Sequence, residues 1–315
     1  MLARSWRIGA FPRSGKRFCN VFSPAIDLAA MVTVIFGIAT SLVHAENIGT
    51  STVPVDTEHM FGFVEGSDIG DKGEREVVID STLRSGRSAG SFATTASELE
   101  FKYSAFQNFR ISGAATLAYY DLTGVPGIED ARRAAIQSLS FDARFRLLDR
   151  GQAPFGLTLS ISPHWGLVDE TSGVRTGHFG TEIQLLADRE LKADQLVGAV
   201  NLLFANDRAH LLASDGVEHE SLLGGGVALA AQILSGVWLG GEARYLRDYS
   251  GAALNTFSGQ ALYAGPTVYA RFGSKAFISV AWDVQVWGGA AAALGALDLT
   301  NFERHQAKLR FGFEF

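Results

Sequence analysis

Hydrophobic and polar residues alternate one by one along much of this chain. From Ser138 to Leu147, Leu139, Phe141, Ala143, Phe145 and Leu147 alternate with Ser138, Ser140, Asp142, Arg144 and Arg146. The last nine residues repeat the pattern, with Ala307, Leu309, Phe311, Phe313 and Phe315 set against Lys308, Arg310, Gly312 and Glu314. A period of two puts one class of side chain on each face of a β-strand, whereas a helix would scatter the charges around its axis. About twelve such segments can be traced: near 74–84, 91–103, 107–120, 137–148, 154–166, 178–190, 193–206, 220–234, 236–248, 260–272, 275–288 and 302–315.

After the first hairpin, short turns (104–106, 149–153, 191–192, 235, 273–274) alternate with long polar loops (121–136, 167–177, 207–219, 249–259, 289–301). An even number of strands, with short connections on one side and long ones on the other, is the pattern of an all-β transmembrane antiparallel up-and-down β-barrel of about 12 strands. In such a barrel the apolar face turns to lipid and the polar face lines the interior. The residues expected to line the lumen include Glu98, Glu100, Lys102, Arg110, Asp142, Arg144, Arg146, Glu182, Glu242, Arg244, Asp283, Lys308 and Arg310, joined by Glu76, Asp80, Asp188, Arg271 and Glu314. Their signs nearly balance, which predicts paired networks across the wall. Aromatics expected near strand ends (Tyr103, Tyr119, Tyr245, Trp282) fit an interfacial girdle.

Two passages strain the pattern. Ser221 to Gly241 carries no charge, long enough for an apolar helix, but its glycines, including Gly224 to Gly226, favour a hairpin whose lumen side is small. Pro266 falls inside the tenth strand, where a closed barrel has no free edge, and calls for a bulge at Gly265-Pro266.

Composition adds location. The chain has 315 residues, 47% hydrophobic, with 22 Phe, 35 Gly and one Cys, and a net charge of −6. The lone Cys19 excludes a disulfide scaffold and a cysteine-ligated metal site, and the negative charge speaks against a nucleic-acid partner. Residues 1–24 are basic, Leu28 to Ala45 is apolar, and Val43-His44-Ala45 ends in small residues at −3 and −1. Residues 1–45 therefore read as a signal peptide, with an uncleaved anchor helix as the alternative. Removing its five basic and one acidic residues from the totals of 27 and 33 leaves 22 and 32, a mature chain near −10 without cysteine. Residues 46–73 form a Gly-rich periplasmic linker or a plug folded into the lumen, and 74–315 the barrel.

The ending Lys308-Leu-Arg-Phe-Gly-Phe-Glu-Phe315 resembles the C-terminal strand of Gram-negative outer-membrane β-barrel proteins. That resemblance implies that Leu309, Phe311, Phe313 and Phe315 serve as a membrane-insertion signal read by the barrel-insertion machinery. A more local similarity links Glu98-Leu-Glu-Phe-Lys-Tyr103, Asn108-Phe-Arg110 and Arg146-Leu-Leu-Asp-Arg-Gly-Gln-Ala-Pro-Phe-Gly-Leu157 to outer-membrane transporters of the MetA-pathway-of-phenol-degradation type. No functional residue is carried over from it.

Chemistry is sparse. His164 would face the lumen near Asp169 and Glu170, while His210 and His219 share an acidic loop with Asp207, Asp215, Glu218 and Glu220. Neither spacing is a metal motif, and a solvated acidic loop explains the second. Asp68-Ile-Gly-Asp-Lys-Gly-Glu74 lacks the regular ligand steps of a calcium loop. No catalytic constellation, metal or cofactor is called for. The chain thus reads as a non-enzymatic outer-membrane channel or transporter passing a small solute, with outer-membrane lipid around it. Arg110, Arg144, Arg146, Glu100 and Asp142 are its central candidates. The alternatives are a structural or surface-interaction barrel with a closed lumen and a lipid-modifying enzyme.

Overall fold

The computed structural model describes residues 55–211, 216–291 and 295–315. The proposed signal peptide and residues 46–54 lie outside them. Twelve strands close into one antiparallel barrel: β1 (Arg75–Ser85), β2 (Ser91–Phe106), β3 (Phe109–Thr123), β4 (Ala131–Leu148), β5 (Gly156–Val168), β6 (Arg175–Lys192), β7 (Leu196–Leu211), β8 (Gly216–Leu234), β9 (Val237–Ser250), β10 (Thr256–Phe272), β11 (Ala276–Ala290) and β12 (His305–Glu314). Each strand pairs with its sequence neighbours, and β12 returns to β1 through Glu76↔Glu314 to Ser85↔His305. Closure removes the free edges of the sheet.

The distribution of side chains is inverted relative to a protein folded around a dry core. Ile79, Leu99, Leu117, Ile136, Leu139, Leu202 and Val286 point outward and are about half exposed, while Lys102, Arg110, Glu242 and Arg310 are buried inside. An outer apolar belt with a charged interior is the arrangement of a barrel in lipid. Around the end opposite Arg75 and Phe315 stand Tyr119, Trp165, Phe179, Tyr245 and Trp287, with Trp165 packed on Phe179 and Tyr245 on Trp287. Trp282 is the exception to the expected girdle. It lies midway along β11, opposite Ala307.

Several strands run further than the alternation alone indicates, and the connections shrink accordingly. Residues 121–136 reduce to a connection of 124–130, the same length as the turn 149–155, so the contrast between short and long connections is weaker than expected. The acidic segment 207–219 is largely strand, the ends of β7 and β8; Asp215 lies outside the described residues. Polar side chains are tolerated there because one face of each strand looks into the lumen.

The charge-free stretch Ser221–Gly241 is the hairpin of β8 and β9. Its inward positions Gly224, Gly226, Ala228 and Ala230 are small, and its turn bends at Gly236 with φ 73°. Pro266 sits within a continuous β10. It pairs with Gly241 on β9, and the ladder to β11 passes from Ala264↔Val284 to Thr267↔Ala281 without Gly265 and Pro266. The register shift lies earlier, between Leu262 and Tyr263. Pro163 of β5 is accommodated likewise: it pairs with Thr181, and the ladder to β4 skips from Ser140↔His164 to Ala143↔Ile161. A gap on one side supplies what the missing N–H requires.

Candidate functional site: the filled lumen

Residues 55–73, ahead of β1, form an irregular loop inside the barrel. Thr57, Glu58, His59, Met60, Phe61, Val64, Ser67 and Ile69 are all nearly inaccessible to solvent. Backbone that belongs to no ladder must find other partners when buried, and here the inward side chains provide them. Glu242 of β9 accepts from the amides of Phe63 and Val64, each at 2.9 Å. Asn201 of β7 accepts from Glu65 N and donates to its carbonyl, both at 2.7 Å. Asp188 of β6 accepts from Ser67 N at 2.5 Å and from the Thr57 hydroxyl at 2.6 Å. On the other side of the loop, Ser104 of β2 donates to Ile69 O at 2.6 Å.

The loop enters and leaves at the same end. Gly66 N donates to Thr57 O at 3.1 Å and closes its neck. Its tip reaches Ala281 of β11 at Gly62, where a Cβ would collide with that methyl group. Gly226 of β8 clears space for Val64 in the same way. Met60, Phe61 and Val64 pack with Val78, Val197, Ala230, Trp238, Tyr269 and Phe277 in one apolar cluster. Phe63 is covered by cations instead, with the Arg244 guanidinium 3.8 Å and the Lys308 ammonium 5.0 Å from its ring centre, a contact that favours a desolvated cation.

The carboxylates of the loop meet the basic wall. Glu58 contacts Arg110 and lies 2.7 Å from Lys102 and 3.5 Å from Arg144. Glu65 lies 2.7 Å from Arg144 and 3.2 Å from Arg310. Asp68 lies 2.9 Å from Arg146 and 3.2 Å from Arg150. Burial alone would raise Glu58 and Glu65, but the adjacent cations hold both carboxyls below the usual glutamate range. Asp56, buried beside His59 at 3.0 Å, is also held low. His59 is raised: burial disfavours its charge, and Glu76, Asp56 and Glu58 outweigh both that and Lys102. For Asp68 burial prevails and its pKa is raised.

Each of the thirteen residues named first for the lumen has an inward contact in the structure, as do the five that join them. Besides the contacts above, Glu98 accepts from Thr116 at 3.1 Å and Glu100 from Ser112 at 2.5 Å. Asp142 takes Arg144 and Ser162, Glu182 receives Gln184, Arg244 reaches Asp283 at 2.9 Å, and Lys308 reaches Asp80 at 3.1 Å. Leu309, Phe311 and Phe313 are on the opposite face of β12, with Phe315 one residue past its end, and the three phenylalanines are about half exposed. The loop acids Glu58 and Glu65, with His59 and Asn201, are the contributors the alternation does not mark. The visible signal was a short apolar run, Met60 to Val64, flanked by Glu58-His59 and Glu65 and outside any period-two segment.

Beside the loop, at the end of the barrel where Arg75 and Phe315 lie, a cavity of about 490 Å³ is lined by both signs of charge, among them Asp56, Asp68, Arg146, Arg150, Arg271 and Glu314. At the far end Tyr263 donates to Glu303 O at 2.6 Å and Gln285 Nε2 donates to Asp298 O at 3.1 Å, drawing the connection ahead of β12 inward.

A closed β-barrel with an apolar exterior and a polar, occupied interior resembles in fold the β-barrel proteins of bacterial outer membranes. The chain belongs to DUF6662, a family of unknown function whose model matches residues 53–315. No curated protein matches the sequence. Among solved structures it is similar to the COG4313 outer membrane channel from Pseudomonas putida F1, with TM-score 0.56 and 12% identity over 80% of this chain and 100% of that one. It is also similar to the beta domain of the Bordetella autotransporter BrkA, with TM-score 0.50 and 14% identity over 78% of this chain and 100% of that one. At these identities the likeness concerns the fold.

Proposed function

We propose that the protein is a passive channel of the Gram-negative outer membrane for a small polar solute, closed at rest by residues 55–73. The carrying observation is the way the loop is held. Its acids face the basic wall of β2–β4 and β12, and its amides face Glu242, Asn201 and Asp188. Side-chain contacts of this kind seat the loop without building it into the sheet. Displacing it would leave the twelve-strand ladder intact and expose walls of opposite sign, which suit a solute with separated charge. The charged cavity beside the loop supports the same class of cargo. Outer-membrane lipid covers the apolar belt, and the exposed C-terminal phenylalanines are available to the barrel-insertion machinery. Passage follows the concentration gradient, and the reading calls for no cofactor.

The test is planar-bilayer recording of the mature chain and of a variant lacking residues 55–73. Small or intermittent conductance in the first and larger, steady conductance in the second is expected. Silence in both overturns the proposal and favours a closed structural barrel.

A further inference from the structure

Away from the filled part of the lumen, near the end opposite Arg75 and Phe315, two imidazoles and a carboxylate converge from three adjacent strands. In the sheet register His164 of β5 stands opposite Gly180 of β6, and Gly180 stands opposite Asp207 of β7. His164 and Asp207 are thus separated by a whole strand, and their side chains meet only because the position between them has none. His164 Nε2 lies 2.9 Å from Asp207 Oδ1, and a Cβ on Gly180 would collide with both atoms. The second imidazole, His178, stands two residues before Gly180 on β6. Its register partner is Gly166, where a Cβ would collide with the His178 ring. The two rings meet edge to face with centroids 5.8 Å apart.

Two glycines therefore clear the ground for this trio, at positions where a strand ordinarily prefers a side chain. One potential donor atom from each residue lies within 4.8 Å of the other two. The group is reachable from the lumen, since the side chains of His164 and Asp207 are 20% and 37% exposed. Glu170 and Glu182 add negative charge around His164.

We propose that His164, His178 and Asp207 form a binding site for a single divalent transition-metal ion, with zinc as the best-matched case. Two imidazoles and one carboxylate, with solvent for the remaining position, form a donor set that zinc, cobalt and nickel accept. Calcium and magnesium prefer sites made only of oxygen. Tetrahedral zinc sets such ligands roughly 3.3 Å apart, so a small rotation of these partly exposed side chains suffices to close on it. The other grouping of this composition among the described residues, Glu58, His59 and Glu76, is already served by a cation. Lys102 Nζ lies 2.7 Å from Glu58 and 3.3 Å from Glu76. The metal site does not depend on the channel reading.

The experiment is calorimetric titration of the untagged mature barrel, folded in detergent, with zinc chloride, and parallel titration with cobalt chloride followed by visible absorption. One zinc per barrel is expected, with cobalt bands typical of low coordination number and no competition from excess calcium or magnesium. His164→Ala and His178→Ala should each weaken zinc by at least roughly tenfold, the smaller effect known even for residues that only support a ligand. Gly166→Ala keeps all three donors and should also weaken binding, because the new methyl group displaces His178. Retention of heat-modifiable gel mobility shows that each variant is a closed barrel. Absence of zinc binding, or binding of unchanged affinity in the His164→Ala/His178→Ala double variant, overturns the proposal. An effect of both alanines without any effect of Gly166→Ala overturns the part assigned to the glycine clearance.

Discussion

Arg144 of β4 holds Glu65 of the lumen loop at 2.7 Å, and the same carboxylate takes Arg310 of β12 at 3.2 Å. Around the ring β4 and β12 are separated by β1, β2 and β3, so one glutamate ties together walls that share no ladder. Glu65→Gln should loosen the loop by about 2 kcal/mol, because Arg144 and Arg310 each lose one charge-assisted hydrogen bond while Asp142, Glu58 and Asp80 still compensate their charge. Limited proteolysis of folded barrels should then cut between residues 55 and 73 while the strands stay protected. In combination with Arg310→Met the two effects should be less than additive, since both remove one contact.

Acid should release the loop. Glu58 and Glu65, with ordinary values of 4.5, and Asp56, at 3.8, are all held lower in the fold. Their contribution is complete above those ordinary values and is lost as pH falls through the native ones. His59 acts in the opposite sense: raised from 6.5, it contributes fully below that value and loses its contribution as pH rises through the native one. Hydrogen exchange of residues 55–73 should show strongest protection between about pH 4.5 and about pH 6.5, falling on acidification below about pH 4.5. A flat profile contradicts the network.

The tip of the loop depends on Gly62. Gly62→Val places its side chain against Ala281 and Glu242 and should cost about 1–3 kcal/mol of loop seating. Intermittent openings in bilayer recordings should become more frequent, with no change in heat-modifiable mobility.

The last strand offers a separate test. Phe313 stands opposite Val77 and Ala276 on the two neighbouring strands, with its ring outward and 45% exposed. Phe313→Ala and Phe315→Ala remove lipid-side contacts without touching the lumen. Outer-membrane yield in cells should drop severalfold while purified protein still folds in detergent; equal yields would contradict an insertion signal in these residues.

The strands were legible because a barrel in lipid writes its two faces into adjacent residues: Leu139 beside Ser140 and Phe311 beside Arg310 mark outside and inside directly. Strand ends were less so. The far halves of β4, β7 and β8 carry polar side chains such as Arg132, His210 and Glu218, which in sequence look like loop. Lumen occupancy left almost no local trace, since the partners of Glu58 lie 44 and 52 residues away at Lys102 and Arg110. The near balance of wall charge was also incomplete, because part of the compensation for Arg110, Arg144 and Arg146 comes from the loop. His164 stood out in the sequence, but its partner Asp207 comes from two strands away, and only the register over Gly180 joins them.

The central claim is that the loop must leave its seat for solute to pass. Cys19 is the only cysteine in the sequence, so a mature chain starting after Ala45 has none, and a disulfide can be placed without interference. Val64 Cγ2 lies 2.8 Å from where a Cβ at position 226 would stand, close enough for a Val64→Cys/Gly226→Cys pair to bridge. Single-channel recording of that variant should show silence when oxidised and intermittent conductance at wild-type level or above once a reductant is added. Equal conductance in the oxidised and reduced states, with the cross-link verified by mass spectrometry, would contradict it.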